Sequence, residues 1–143
     1  DHRFGIVQFA PYREEDPKYF GITPKFITQS MKGRFQDSII IMMGCNGLTY
    51  PDMAEALVEK GAKVYVSWTA SVSSSHTDKG TMHLLQHLIY QKQPLKQAIE
   101  STMKEIGPDP TYKSELSYYP LEAEDYVMQD AVGNQVAYEE VVA

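Results

Sequence analysis

The sequence predicts an α/β fold: a mostly parallel sheet with helices against both faces. Three observations predict it. Ser38-Ile39-Ile40-Ile41-Met42-Met43 is an almost wholly apolar run that ends in Gly44-Cys45-Asn46-Gly47. A short apolar run bounded by glycines reads as a strand buried on both faces, the kind found in parallel sheets. A helical pattern and a second strand, Lys63-Val64-Tyr65-Val66-Ser67-Trp68, follow within about thirty residues, the length of a βαβ unit. Two further helical patterns downstream supply cover for the sheet.

Taken in order, Phe4-Gly5-Ile6-Val7-Gln8-Phe9-Ala10 reads as a first strand, expected in the same sheet as the two central ones. The charged stretch 11–17, with proline at each end, is a loop. Thr23-Pro24 has the form of a helix N-cap followed by proline at the first helical position. The short helix carries Phe26, Ile27 and Met31, and Gly33 suits its end. After the cysteine strand, Thr49-Tyr50-Pro51-Asp52 opens a helix with Met53, Ala54, Leu57 and Val58 on one face, stopped by Gly61. The crossover from the first central strand to the second is expected to be right-handed, so the two are parallel.

The loop Ser71-Val72-Ser73-Ser74-Ser75-His76-Thr77-Asp78 leads into a helix expected to start near Thr77 or Asp78, with Met82, Leu85, Leu88 and Ile89 as its apolar stripe. Pro94 begins another helix, with Leu95, Ala98, Ile99, Thr102 and Ile106 on one side and Gly107-Pro108 behind it. Leu116-Ser117-Tyr118-Tyr119 fits a short strand. Beyond Pro120, segments 126–132 and 135–141 flank Gly133-Asn134, a two-residue hairpin signal.

The chain has 143 residues, enough for one domain. Residues 1–120 carry 13 basic and 13 acidic side chains, whereas residues 121–143 carry six acidic and none that is basic. The expected division is therefore an α/β domain over 1–120 and an acidic extension over 121–143, either a solvated surface or a hairpin docked on a partner. No basic stripe points to nucleic acid. No stretch reaches membrane-spanning length. A single cysteine leaves no internal disulfide framework, and the sequence assigns no compartment.

Cys45 lies where ligands bind in open α/β sheets, beyond the carboxyl ends of the strands. A lone cysteine often packs as a small hydrophobe, and position alone leaves packing and chemistry both open. The flanking glycines, which let a backbone turn sharply, favour chemistry.

The ordered set resembles the caspase-like clan of cysteine peptidases, which includes caspases, separases, gingipains, clostripains and CHAT domains. The resemblance rests on the apolar strand into Gly44-Cys45-Asn46-Gly47 and the helix Met53-Ala54-Glu55-Ala56-Leu57-Val58. It continues through Lys60-Gly61-Ala62-Lys63 into the second strand ending at Trp68. Last come the polar loop into Thr77-Asp78-Lys79 and the helix containing Pro94-Leu95-Lys96-Gln97-Ala98. It spans residues 36–106.

That resemblance implies a caspase-like three-layer sandwich, incomplete in this chain. It implies a cysteine endopeptidase in which the Cys45 thiolate attacks the scissile carbonyl and forms an acyl-enzyme. Backbone N–H groups of Asn46 and Gly47 would face the oxyanion. Trp68 and Asp78 would lie beside the pocket for the residue before the scissile bond, where an acid favours Arg or Lys. The residues alone also permit plainer roles: Trp68 as core, with its N–H on a partner, and Asp78 as a helix cap.

The clan's partner histidine precedes its cysteine, at the end of a neighbouring strand. Here only His2 precedes Cys45, and no strand leads into it. The partner histidine is therefore expected upstream of Asp1, supplied by an earlier part of the same protein or by another chain. One side of the sheet is then expected to be uncovered. Without that histidine the chain is expected to be nearly inactive.

His83 and His87 stand four apart on one helix, but no cysteine or carboxylate has metal-motif spacing with them, so they read as helix-surface residues. His76 lies in the loop placed near Cys45, where it would be a substitute base. No metal and no cofactor is expected; Gly-x-Gly-x-x-Gly and Walker loops are absent, which counts against a nucleotide-binding domain. The partner of the peptidase reading is a peptide or protein substrate. The alternative is a non-catalytic caspase-like module that binds protein.

Overall fold

The structure, a computed structural model, describes residues 4–8 and 17–129. It is a mixed α/β fold. Strands β1 (Phe4–Gln8) and β2 (Lys18–Ile22) pair antiparallel in a two-stranded sheet of their own. A single π-helical turn, Phe26–Ser30, follows, and the Phe26 N–H bonds the Thr23 carbonyl at 2.9 Å, at the helix start expected from Thr23-Pro24. The central sheet has the order β3 (Ile39–Met42), β4 (Val64–Trp68), β5 (Leu116–Tyr119). β3 and β4 are parallel, with Ile39 opposite Val64 and Met42 opposite Ser67. β5 runs antiparallel to β4.

Three expectations need correction. The first strand joins β2 rather than the central sheet, because a hairpin partner close in sequence takes its ladder. The sheet is mixed rather than mostly parallel, because β5 returns after helix α3 to the side of β4 away from β3. The strand buried on both faces is β4, all five of whose residues are buried, and not β3, whose Met42 is 48% exposed. β3 pairs with β4 alone among the described residues, so its outer edge is open there. An all-apolar strand does not by itself reveal whether it is central or marginal.

Helices cover both faces of β4. On one face Tyr65 packs with Ala54, Ala56 and Leu57 of α1 (Asp52–Glu59), Ala62, and Ile27 of the π-turn. On the other, Val64, Val66 and Trp68 pack with Leu84 and Leu88, and with Leu95, Ala98 and Ile99 of α3 (Leu95–Ile106). The alternation along β4 is the two-residue period of a strand. Helix α1 ends as Gly61 suggests. Gly61 has φ +101°, Ala62 N–H bonds Leu57 O at 3.1 Å and Gly61 N–H bonds Val58 O at 2.9 Å, a Schellman end.

Helix α2 (Ser74–Leu85) starts earlier than Thr77, with Ser73 as its N-cap, and runs on into a π-turn, Gln86–Tyr90. Its buried stripe is His76, Gly80 and Leu84, continued by His87 and Leu88. The expected stripe is rotated: Leu88 is buried, but Met82 and Ile89 are exposed. The reason is Gly80, which lies so close to Trp68 that a Cβ there would stand 2.8 Å from Cζ2 of the indole. A stretch scored for apolar residues cannot register a glycine as the contact point.

Helix α3 buries Leu95, Ala98, Ile99 and Thr102, as its spacing predicts. Its first two N–H groups are satisfied by the following acidic stretch: Leu95 N–H bonds Tyr126 O at 2.8 Å and Lys96 N–H bonds Glu124 O at 3.0 Å. Of the expected tail hairpin, residues 126–129 form no strand, and the remainder lies outside the described residues.

Candidate functional site

Cys45 is exposed, in the turn that follows β3. That turn is held by the loop that follows β4, since parallel neighbouring strands end side by side. Asn46 N–H bonds Ala70 O at 3.0 Å, and Leu48 N–H bonds Trp68 O at 3.0 Å. Thr49 Oγ1 donates to Thr69 O at 2.9 Å. The Cys45 sulfur meets Val72 twice: its S–H reaches Val72 O at 3.4 Å, and Val72 N–H donates to Sγ at 3.4 Å.

The glycines flanking the cysteine have different roles. The left-handed position of the turn is Asn46, φ +60°, a residue type whose short polar side chain tolerates that conformation. Gly44 has open space where a Cβ would be. Gly47 does not: a Cβ there would lie 1.9 Å from Ser67 Oγ and 2.7 Å from Ser67 Cβ. The turn therefore needs glycine at one flank, for close packing on β4, and the sharp bend itself falls on Asn46.

The Asn46 N–H is bound to Ala70 O, so it does not point at a substrate oxygen as expected. Gly47 remains the candidate donor. Trp68 is fully buried, and its Nε1–H donates to Thr77 Oγ1 at 2.9 Å. The indole is core with its polar atom satisfied, not a surface for substrate. Thr77 passes the link on by donating to Met43 O at 2.8 Å, two residues before Cys45. Asp78, next in α2, is exposed. It lies within the helix rather than at its cap, because the helix begins four residues earlier.

The described histidines are engaged elsewhere. His76 is buried, with Nε2 3.0 Å from Gly107 O and its ring centroid 5.4 Å from that of Trp68. His83 and His87 both reach Glu105 of α3, His83 through a short hydrogen bond from Nδ1 and His87 with Nε2 at 3.2 Å. The His83 hydrogen bond first, and the His87 imidazole beside the same oxygen, hold the Glu105 carboxyl below its ordinary range. The carboxylate oxygen itself occupies the space between the imidazoles. Among the described residues, no group of three His, Cys, Asp or Glu side chains could hold a metal ion.

Sequence reasoning missed the residues that build the wall behind Cys45. Asp109, between two prolines, is fully buried. Its Oδ2 accepts from Ser73 N–H at 2.9 Å and Ser73 Oγ–H at 2.6 Å. Its Oδ1 accepts from Thr111 N–H at 2.9 Å and Tyr112 N–H at 2.8 Å. Burial pushes its pKa up, but these four hydrogen bonds outweigh it and hold the carboxyl well below the usual carboxylate range. Ser114 Oγ meets the same loop, accepting from Ala70 N–H at 2.9 Å. Pro108-Asp109-Pro110 is a turn signal in sequence, with nothing to say which loop the carboxylate reaches.

Two hollows lie elsewhere on the molecule. One, of about 500 Å³, is lined by Asp37, Lys63, Asp125, Tyr126, Val127 and Gln129, at the amino ends of β3 and β4. The other, about 520 Å³, lies on the outer face of α2 by Met82, Leu85 and Tyr90. No helix among the described residues is long and apolar enough to cross a membrane. No protein-family model, no curated protein and no solved structure matches the chain.

Proposed function

We propose that the chain is part of a cysteine endopeptidase of the caspase-like kind, with Cys45 as its nucleophile. The observation that carries this reading is the exposed Cys45 at the carboxyl end of a parallel strand pair, its sulfur within reach of the loop after the neighbouring strand. The thiolate would attack the scissile carbonyl; the carbon–nitrogen bond would then break as the amine leaves with a proton from a histidine, and water would release the acyl group. The Gly47 amide is the backbone donor for the oxyanion. Exposed Asp78 gives a preference for Arg or Lys before the scissile bond by charge pairing.

The histidine of this mechanism is assigned to residues preceding Asp1 or to another chain. His76, His83 and His87 are occupied with Gly107 and Glu105. That same observation favours a second reading, a caspase-like module that binds protein without catalysis.

The test uses the protein together with its upstream residues. A peptide-based electrophile carrying Arg or Lys before the reactive group is expected to label Cys45, and Cys45→Ala is expected to abolish peptide hydrolysis. Continued cleavage by the alanine variant would overturn the peptidase reading. Labelling that is no faster than with a scrambled peptide, and no hydrolysis in either form, would favour the binding module.

A further inference from the structure

We infer that Asp109 is a positioning residue for Cys45, acting through the loop 69–73; its consequence for hydrolysis rests on the peptidase reading above. Val72 holds the Cys45 sulfur by its own N–H and carbonyl, and Val72 is followed directly by Ser73. Ser73 is the residue Asp109 grips twice, by backbone and by hydroxyl. The carboxylate is held in turn by the turn it sits in: Thr111 and Tyr112 N–H bond its other oxygen, Asp109 N–H bonds Ser114 O at 2.9 Å, and Lys113 N–H bonds Asp109 O at 2.8 Å.

The brace has a second strut. Ser114 Oγ accepts from Ala70 N–H at 2.9 Å, and Ala70 O takes the Asn46 N–H at 3.0 Å. Residues on both sides of the thiol, Asn46 and Val72, are thus fixed to the 109–114 turn through one intermediate residue each. Loops carry function when a rigid frame places them, and here the frame for an otherwise irregular loop is one buried carboxylate with four donors.

A carboxylate is needed for this. It offers two oxygens to four donors, whereas an amide offers one oxygen and would set its own N–H₂ against two of them. Asp109→Asn therefore either releases Ser73, the neighbour of Val72, or loosens the Thr111–Tyr112 turn that holds the side chain against Ser73. Ser73→Ala removes only the hydroxyl half of the grip.

The experiment compares the full 143-residue chain with Asp109→Asn, Ser73→Ala and, as a control for general loosening, Leu84→Ala in the core. Two quantities are read well below the melting temperature: amide exchange at Asn46, Val72 and Ser73, and the rate at which iodoacetamide alkylates Cys45. Asp109→Asn is expected to speed both several-fold, and Ser73→Ala to change both in the same direction by less. Leu84→Ala is expected to lower the melting temperature while leaving both as in the unaltered chain. If Asp109→Asn changes neither rate, or changes them no more than Leu84→Ala does, the inference fails. Should Asp109→Asn not fold, Ser73→Ala decides alone on the same comparison.

Hydrolysis, measured with the upstream residues present, separates this inference from the reading beneath it. Faster alkylation with slower peptide cleavage in Asp109→Asn supports both. Altered alkylation with no cleavage by any form leaves the brace standing and the peptidase reading overturned. Unaltered alkylation with intact cleavage does the reverse.

Discussion

Thr77 accepts the indole N–H of Trp68 at 2.9 Å and hands its own proton to Met43 O at 2.8 Å. One hydroxyl thus joins helix α2 to the fully buried core and to the strand end that leads into Cys45. Satisfying a buried indole N–H is an obligation, since a donor removed from water without a partner costs free energy.

Thr77→Val is expected to lower stability by about 1–3 kcal/mol, because it strands both the Trp68 donor and the Met43 acceptor. Thr77→Ser keeps the hydroxyl and is expected to lose much less. Urea midpoints for the two variants check this; a loss in Thr77→Val no greater than that in Thr77→Ser would count against the hydrogen-bond relay.

The glycines beside Cys45 are expected to respond in opposite ways to alanine. Gly44 has no atom within 4 Å of a Cβ, so Gly44→Ala is expected to stay within about 0.5 kcal/mol of the unaltered chain. Gly47→Ala places a methyl 1.9 Å from Ser67 Oγ and is expected to cost at least about 1–3 kcal/mol, as overpacking does. Ser67→Ala alongside it is expected to recover only part, since Ser67 Cβ would still lie 2.7 Å away. A Gly44→Ala variant as damaged as Gly47→Ala would contradict the packing argument.

Acid is expected to loosen the α2–α3 pairing and the Cys45 brace. The folded pKa of Glu105 is lowered from an ordinary 4.5, chiefly by the hydrogen bond from His83, and that of Asp109 from 3.8. A lowered carboxyl pKa contributes stability that is complete above the unfolded value and is lost as pH falls through the folded one. Stability should therefore decline below about pH 4.5, first through Glu105 and at lower pH through Asp109. Glu105→Gln is expected to flatten the upper part of that decline; an unchanged slope in denaturation curves across this range would count against the His83–Glu105 link.

Much of the architecture is legible in the sequence. The βαβ unit from β3 to β4, the stop of α1 at Gly61 and the buried face of α3 follow from apolar spacing and from glycine, which act within a few residues of one another. The place of Cys45 at the carboxyl edge follows as well, because a helical crossover joins parallel strands, whose carboxyl ends lie side by side.

What only the tertiary structure decided depends on partners distant in sequence. Pattern does not say which of two apolar strands is central, and β5, about fifty residues after β4, settled it by pairing with β4. Pattern does not say which face of α2 is buried when the contact point is Gly80 against Trp68, since close approach leaves no apolar side chain to count. Nor does it join Asp109 to Ser73, 36 residues apart. A carboxylate between prolines looks like a solvated turn until folding brings four donors around it, and that gathering of donors is a property of the packed chain.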